Sequence, residues 1–179
     1  NKEMILGLDI STSITGVSVI NNDEELIFCE AWRTDKKGMS FYDKLRLIKK
    51  RLNNIKKLYK IKAIFVEEPL MGFKSGFSSA QTISKLQRFN GALCWACSEI
   101  FNREPIYIRA SSARKICGIK VARGEKAKDI VLKFLLDKEQ GFDISYTKYG
   151  NPVKGSYDMA DSIVIARAGF KEWKKNSKY

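Results

Sequence analysis

The spacing of apolar and polar residues changes period along the chain, and each change marks an element. Met4–Ile10 is a run of branched apolar residues broken only by Gly7 and Asp9, the pattern of a central strand. A hydroxyl-rich turn follows over Ser11–Gly16, then a second strand over Val17–Ile20, a turn at Asn21–Glu25 and a third strand over Leu26–Trp32. These three form an antiparallel meander. From Phe41 to Leu58 the period becomes helical: Leu45, Ile48, Leu52 and Ile55 recur at three and four residues, with lysines and arginines on the other side. Lys62–Glu67 is a short buried-type strand stopped by Pro69. A glycine-containing loop, Met71–Ser79, leads to a long helix over Ala80–Phe101, a strand at Pro105–Arg109, and helices near Ser111–Cys117 and Gly124–Leu136. The polar segment Gly141–Gly155 is expected as an internal mobile loop before a last helix over Tyr157–Trp173. Three strands followed by strands alternating with helices predict an α/β fold, a mixed five-stranded sheet flanked by helices.

Composition adds a partner. The 179 residues hold 44% hydrophobic positions, enough for one core, and no linker or repeat divides residues 1–179. No apolar run reaches the length of a membrane span, and the start lacks a signal-peptide pattern, so a cytoplasmic protein is expected; compactness and lysine richness suit a bacterial cell or phage-infected host. Thirty-three Lys and Arg against twenty Asp and Glu leave a net charge of +13, which attracts phosphates. Twelve of the cations and only two acids, Asp35 and Asp43, fall between Arg33 and Lys62. Lys44, Lys49, Lys50, Arg51, Lys56 and Lys57 are candidate backbone contacts on the helix there, the alternative being an ordinary solvated face. The four cysteines, two of them in the CxxC of Cys94–Cys97, lack partners for a zinc site and read as reduced packing residues. With no histidine, chemistry must rest on carboxylates, lysines, hydroxyls or metal.

The carboxylates stand in unusual contexts. Asp9 ends an apolar strand, and so does Glu67, beside Glu68, where alternation turns one of the two toward the Asp9 side. Asp9 could instead cap the Ser11–Thr12 turn. Asp158 and Asp161 are three apart on one helix face near its N-terminus. Capping would suit Asp158; it suits Asp161 less, because Ala160, Ile163, Val164, Ile165 and Ala166 surround it with apolar sequence. Acids gathered from three segments repel one another unless cations neutralise them, and hard oxygen ligands suit Mg2+, two ions at about 4 Å, with Mn2+ as substitute.

Over nearly the whole chain, these motifs resemble the RuvC family of Holliday-junction resolvases within the RNase H-like nucleases. Ile5-Leu6-Gly7-Leu8-Asp9-Ile10 with Thr15-Gly16 is similar to the family's first strand and turn, Val66-Glu67-Glu68 to its glutamate-bearing strand end, and Asp158 to Ala166 to its closing helix. The resemblance implies an RNase H-like fold, metal-dependent cleavage of branched DNA, four-way junctions above all, and a homodimer. It places catalytic and metal-binding roles on Asp9, Glu67, Asp158 and Asp161. Gly118-Ile119 and Glu125-Lys126 resemble the stretch before the family's fourth helix, implying that Lys126 binds phosphate or the transition state and that Arg114 or Lys115 contacts DNA. One position departs: where the family carries a base-stacking aromatic after the glutamate, this chain has Leu70. Phe73 and Phe77 are candidate substitutes, and Tyr146, Tyr149, Lys148 and Lys154 offer further rings and charges for DNA. A two-fold-related pair of sites suits a junction's two scissile phosphates; Gly91, Ala92, Leu93 and Ala96 on the long helix suit either that interface or the sheet. An RNase H-like nuclease acting on RNA–DNA hybrid or flap DNA would share the metal site. A non-catalytic nucleic-acid-binding module would explain the charge but not the acids.

Overall fold

The computed structural model describes residues 2–69 and 79–176. In chain order its elements are β1 (Glu3–Asp9), β2 (Ile14–Asn21), β3 (Leu26–Arg33), α1 (Phe41–Leu58), β4 (Lys60–Glu67), α2 (Ala80–Phe101), β5 (Ile106–Ile108), α3 (Ala110–Ile116), α4 (Ala127–Lys138) and α5 (Ser156–Lys175). The strands make one sheet in the order β3-β2-β1-β4-β5. The first three are antiparallel, while β4 joins β1, and β5 joins β4, in parallel. This is the mixed sheet that the apolar pattern predicts.

Strand alternation divides the core in two. Ile5, Ala63 and Phe65 face α3, α4 and α5, burying Ile163, Val164 and Phe170 against them. Leu6, Leu8, Val17, Ile64 and Val66 face α1 and α2, meeting Ile48, Leu52, Phe89 and Leu93. Helix α1 opens with a capping box, in which the Ser40 side chain accepts from the Asp43 amide and the Asp43 carboxylate accepts from the Ser40 amide. Helix α5 lies unusually close to the sheet, and two glycines explain it. A Cβ on Gly7 would stand 2.6 Å from both the Ser162 carbonyl and Ala166 Cβ; on Gly16 it would stand 2.0 Å from the Asp158 carbonyl.

The structure corrects several expected boundaries. Strand β2 begins at Ile14, so Thr15 and Gly16 belong to the sheet and not to the turn. Helix α4 begins at Ala127, with Lys126 at its N-cap, and runs to Lys138. The segment expected as a mobile loop folds on itself: Tyr146 bridges to Pro152, Val153 N donates to Ser145 O (3.0 Å) and Thr147 N to Asn151 O (2.8 Å). Cys94 and Cys97 lie on α2, and all four cysteines are unbridged. Among the described residues no helix is long and apolar enough to cross a membrane.

Candidate active site

Register brings the first two acids together. In the parallel pair of β1 and β4, Leu8 stands opposite Val66, so Asp9 and Glu67 follow side by side at the C-terminal ends of adjacent strands. Both share the face of Ile5, Ala63 and Phe65, the face under α5. Asp9 also pairs with Gly16 on β2, and Gly16 carries the Asp158 backbone directly above it. The missing side chain at Gly16 thus lets the first two turns of α5, with Asp158 and Asp161, settle over Asp9. Glu68 points the other way, into an ion pair with Arg109 (3.1 Å).

The electrostatics follow from this crowding. Asp9 is buried, and its carboxyl is held well above the usual range by burial and then by the charges of Glu67, Asp161 and Asp158. It shares a hydrogen bond with Glu67, whose own affinity for a proton is raised by burial and Asp158 and lowered by that bond and by Arg114. Asp161 is pushed up to about 7, by burial first and then by Glu67 and Asp158, with Arg114 opposing. Asp158 is raised by burial. Without a cation the cluster therefore holds protons that isolated carboxylates would release.

Among the described residues no three acidic, histidine or cysteine side chains converge as a ready-made cage for one ion. The donor set itself, four hard carboxylates from three elements in one partly buried field, fits magnesium or manganese.

The turn after Asp9 has another cap, while Asp158 keeps the favourable first-turn position that helix capping predicts. The turn after β1 is capped by Ser11, whose hydroxyl accepts from Ile14 N (3.1 Å). Thr34 Oγ1 (2.8 Å) and Lys44 Nζ (2.9 Å) both donate to Thr12 O. Lys44 thus braces the turn beside Asp9, and the sequence reading that set it among the DNA contacts missed this. The N-cap of α5 is Gly155, with no side-chain cap bond, so Asp158 sits inside the first turn.

The remaining candidates separate. Arg114 acts on Glu67 and Asp161, whereas Lys115 is exposed. Arg114, Lys115 and Lys120 line a cavity of about 290 Å³ with Ser111 and Gly118. Lys120, two residues after Gly118, joins this lining although it is not among the sequence candidates. Lys126 is exposed at the α4 N-cap. Lys148 lies over the Tyr149 ring at 5.0 Å. Lys154 makes an ion pair with Asp35, which also binds Arg33 (2.9 Å), and its side chain remains 56% exposed. Leu70, Phe73 and Phe77 lie outside the described residues.

No protein-family model matches the sequence, and no curated protein sequence matches it. Solved structures do resemble it. Thermus thermophilus RuvC in complex with a Holliday junction substrate superposes with a TM-score of 0.64 at 16% identity, covering 97% of this chain and 95% of that one. A second Thermus thermophilus RuvC structure gives 0.65 at 14% identity, covering 96% of each chain. The yeast mitochondrial Holliday junction resolvase gives 0.60 at 16% identity, over 96% of this chain and 78% of that one. The fold of this chain is therefore RuvC-like, with the RNase H-type mixed sheet that its motifs imply.

Proposed function

We propose that this chain is a divalent-metal-dependent endonuclease that resolves four-way DNA junctions by paired phosphodiester hydrolysis. The observation that carries the proposal is the gathering of Asp9, Glu67, Asp158 and Asp161 in one field, in a chain whose net charge is +13. A protein selected only to bind phosphates gains nothing from burying acids beside that surface. The solved structures of similar fold include a resolvase bound to a Holliday junction, which supports the substrate.

Asp9, Glu67, Asp158 and Asp161 would hold Mg2+ or Mn2+. The chemistry such ions supply when bound is activation of a water nucleophile and neutralisation of charge at the leaving 3′-oxygen. The chain's own contribution is positional. Gly16 sets Asp158 over Asp9, Lys44 and Thr34 hold the turn beyond Asp9, and Arg114 keeps positive charge beside Glu67 and Asp161. Arg114 would then meet the scissile strand's phosphates, with Lys115 and Lys126 as further cationic contacts.

A homodimer would place two such sites on the two strands to be cut. Helix α2 supports this reading. Leu93 and Ala96 are buried in the core, but Trp95 is 62% exposed and Gly91, one turn away, is also exposed. Among the described residues a Cβ on Gly91 would meet nothing within 4 Å, so none of their contacts explains a residue that costs a helix about 1 kcal/mol relative to alanine. A neighbouring copy laid on that face would explain it. Trp95→Glu should halve the mass measured by sedimentation while leaving the circular dichroism of the folded chain unchanged.

The deciding experiment incubates the pure protein with labelled four-way, three-way, flap and linear DNA and with an RNA–DNA hybrid, with and without Mg2+ or Mn2+. Paired, metal-dependent nicks near the branch of the four-way junction are expected. Cleavage confined to linear DNA, or to the RNA of the hybrid, would overturn the proposal.

A further inference from the structure

The hairpin over residues 145–153 has no role in the chemistry, yet its construction is specific. Its strands are joined by Val153 N to Ser145 O (3.0 Å) and by the Tyr146–Pro152 bridge, and its tip is closed by Thr147, whose carbonyl accepts from Gly150 N (2.9 Å). Gly150 takes a φ of +81°, a conformation that L side chains rarely adopt. The base is anchored too. Lys154 pairs with Asp35, and Gly155 sits so close to Ala31 that a Cβ would come within 2.6 Å.

That anchor fixes the hairpin's place. Asp35 follows β3, and Thr34 N donates to Ser13 O (2.8 Å) in the turn after Asp9. The hairpin therefore roots at the sheet end that holds the acids, on the β3 side. The cavity with Arg114, Lys115 and Lys120 follows β5, at the opposite edge of the sheet. From Val153 the arm to the tip is four residues, roughly 13 Å at strand rise, or about four nucleotides along DNA.

What the hairpin presents is aromatic. Tyr149 is 77% exposed and Tyr146 56% exposed. One exposed ring needs no explanation. Tyr149 stands at the braced tip with Lys148 Nζ 5.0 Å from its ring centroid, and Tyr146 adds a second exposed ring on the arm below. A π-face beside a cation is the chemistry that takes an unpaired nucleobase and its phosphate.

We propose that the Tyr149 ring, carried on this hairpin, stacks on a base exposed at the branch point and so selects branched over continuous DNA. The inference rests on the nuclease reading above and assigns a specificity-determining residue to the same site. Continuous duplex offers no free base face, so the contribution is confined to branched substrates.

The test uses the full chain without divalent ions, measuring affinity for a four-way junction and for linear duplex at one salt concentration, beside the melting temperature. Wild type should prefer the junction. Tyr149→Ala should lower junction affinity about tenfold, leave duplex affinity unchanged and melt like wild type; Tyr149→Phe should restore the preference. An unchanged junction-to-duplex ratio in Tyr149→Ala, or an equal loss on both substrates, overturns the stacking role while leaving the nuclease reading intact. No junction preference in wild type, with cleavage of linear DNA only, overturns both.

Discussion

Helix α5 carries charge at both ends of its buried stretch, and the two ends are treated in opposite ways. Near its C-terminal half, Arg167 is clasped by Glu139 through Nε and Nη2 (2.5 Å each) while Nη2 also donates to Glu24 O (2.7 Å). Their side chains are only 21% and 7% exposed, and every charge there has a partner. Near its N-terminus, Asp158 and Asp161 join Asp9 and Glu67 with Arg114 as the opposing charge. A chain with thirty-three Lys and Arg could have matched those acids as it matched Glu139. Among the described residues it did not, and that imbalance disfavours the ionised acids in the metal-free protein. The paired end holds the fold; on the function proposed above, the other end would receive cations.

The sharpest way to break this contrast is to neutralise one acid at the unpaired end. Asp9→Asn should reduce metal-dependent junction cleavage by at least about a thousandfold, roughly 4 kcal/mol of transition-state stabilisation. Junction affinity without metal should hold or rise, since affinity comes mainly from the basic surface. The metal-free melting temperature should rise, because burial and repulsion both disfavour that carboxylate. Cleavage assays and calorimetry on one preparation read both; a lowered melting temperature would mean that the acid is structural.

At the paired end the signs reverse. Arg167→Met removes the partner of the buried Glu139 and frees Glu24, which holds a φ of 60° in the turn between β2 and β3. The loss should be on the order of 3 kcal/mol, read by denaturant unfolding. Cleavage per folded molecule should stay near wild type. A collapse of activity without loss of stability would show that the two ends of α5 are coupled.

Acidity offers a third test. Asp161 binds its proton up to about pH 7 in the folded chain, against an ordinary value of 3.8, and Asp9 is raised too. Between those values the folded state keeps protons that the unfolded state has lost, so stability should fall as pH rises from about 4 to 7, by up to about 1.4 kcal/mol per unit for each such group. The surface acids Asp35 and Asp43 are shifted down, so their effect falls below this window. Saturating Mg2+ should flatten the fall by stabilising the ionised carboxylates, with release of protons. Melting curves across pH, with and without Mg2+, measure it. A flat metal-free profile would remove the claim that the acids are uncompensated.

The fold and the acids were legible because both rest on local pattern. Strand ends and helix period suffice to mark Asp9, Asp158 and Asp161, while alternation turns only one of Glu67 and Glu68 toward them and the family resemblance selects Glu67. What local pattern misread was close approach and pairing over distance. Thr15-Gly16 looks like a turn until the Asp158 backbone, more than a hundred residues later, is known to need the space. Lys44 and Lys154 look like free cations, but Thr12 and Asp35 hold them. The Arg167–Glu139–Glu24 cluster joins three segments and has no periodic signature. Composition counts charges without revealing which are committed.

The smallest expected effect asks which uncommitted cations meet DNA. Helix α1 starts at the acid end of the sheet, where Lys44 reaches Thr12, and its 18 residues run about 27 Å toward Lys60 at the far end. Lys49 and Lys50 are exposed near its middle; Lys56 and Lys57 are exposed in its last turn, beside a cavity shared with Arg103. The latter pair already offsets the partial negative charge of the helix C-terminus. A DNA arm leaving the acids across α1 would pass Lys49 and Lys50 first. Replacing both with alanine should weaken junction and duplex binding alike, by a few fold, and make the slope of log K against log salt shallower by up to about 2. The Lys56, Lys57 double variant should change that slope less. Equal changes would mean that the arm follows the whole helix, and no change in either would move the binding surface to the cavity of Arg114, Lys115 and Lys120.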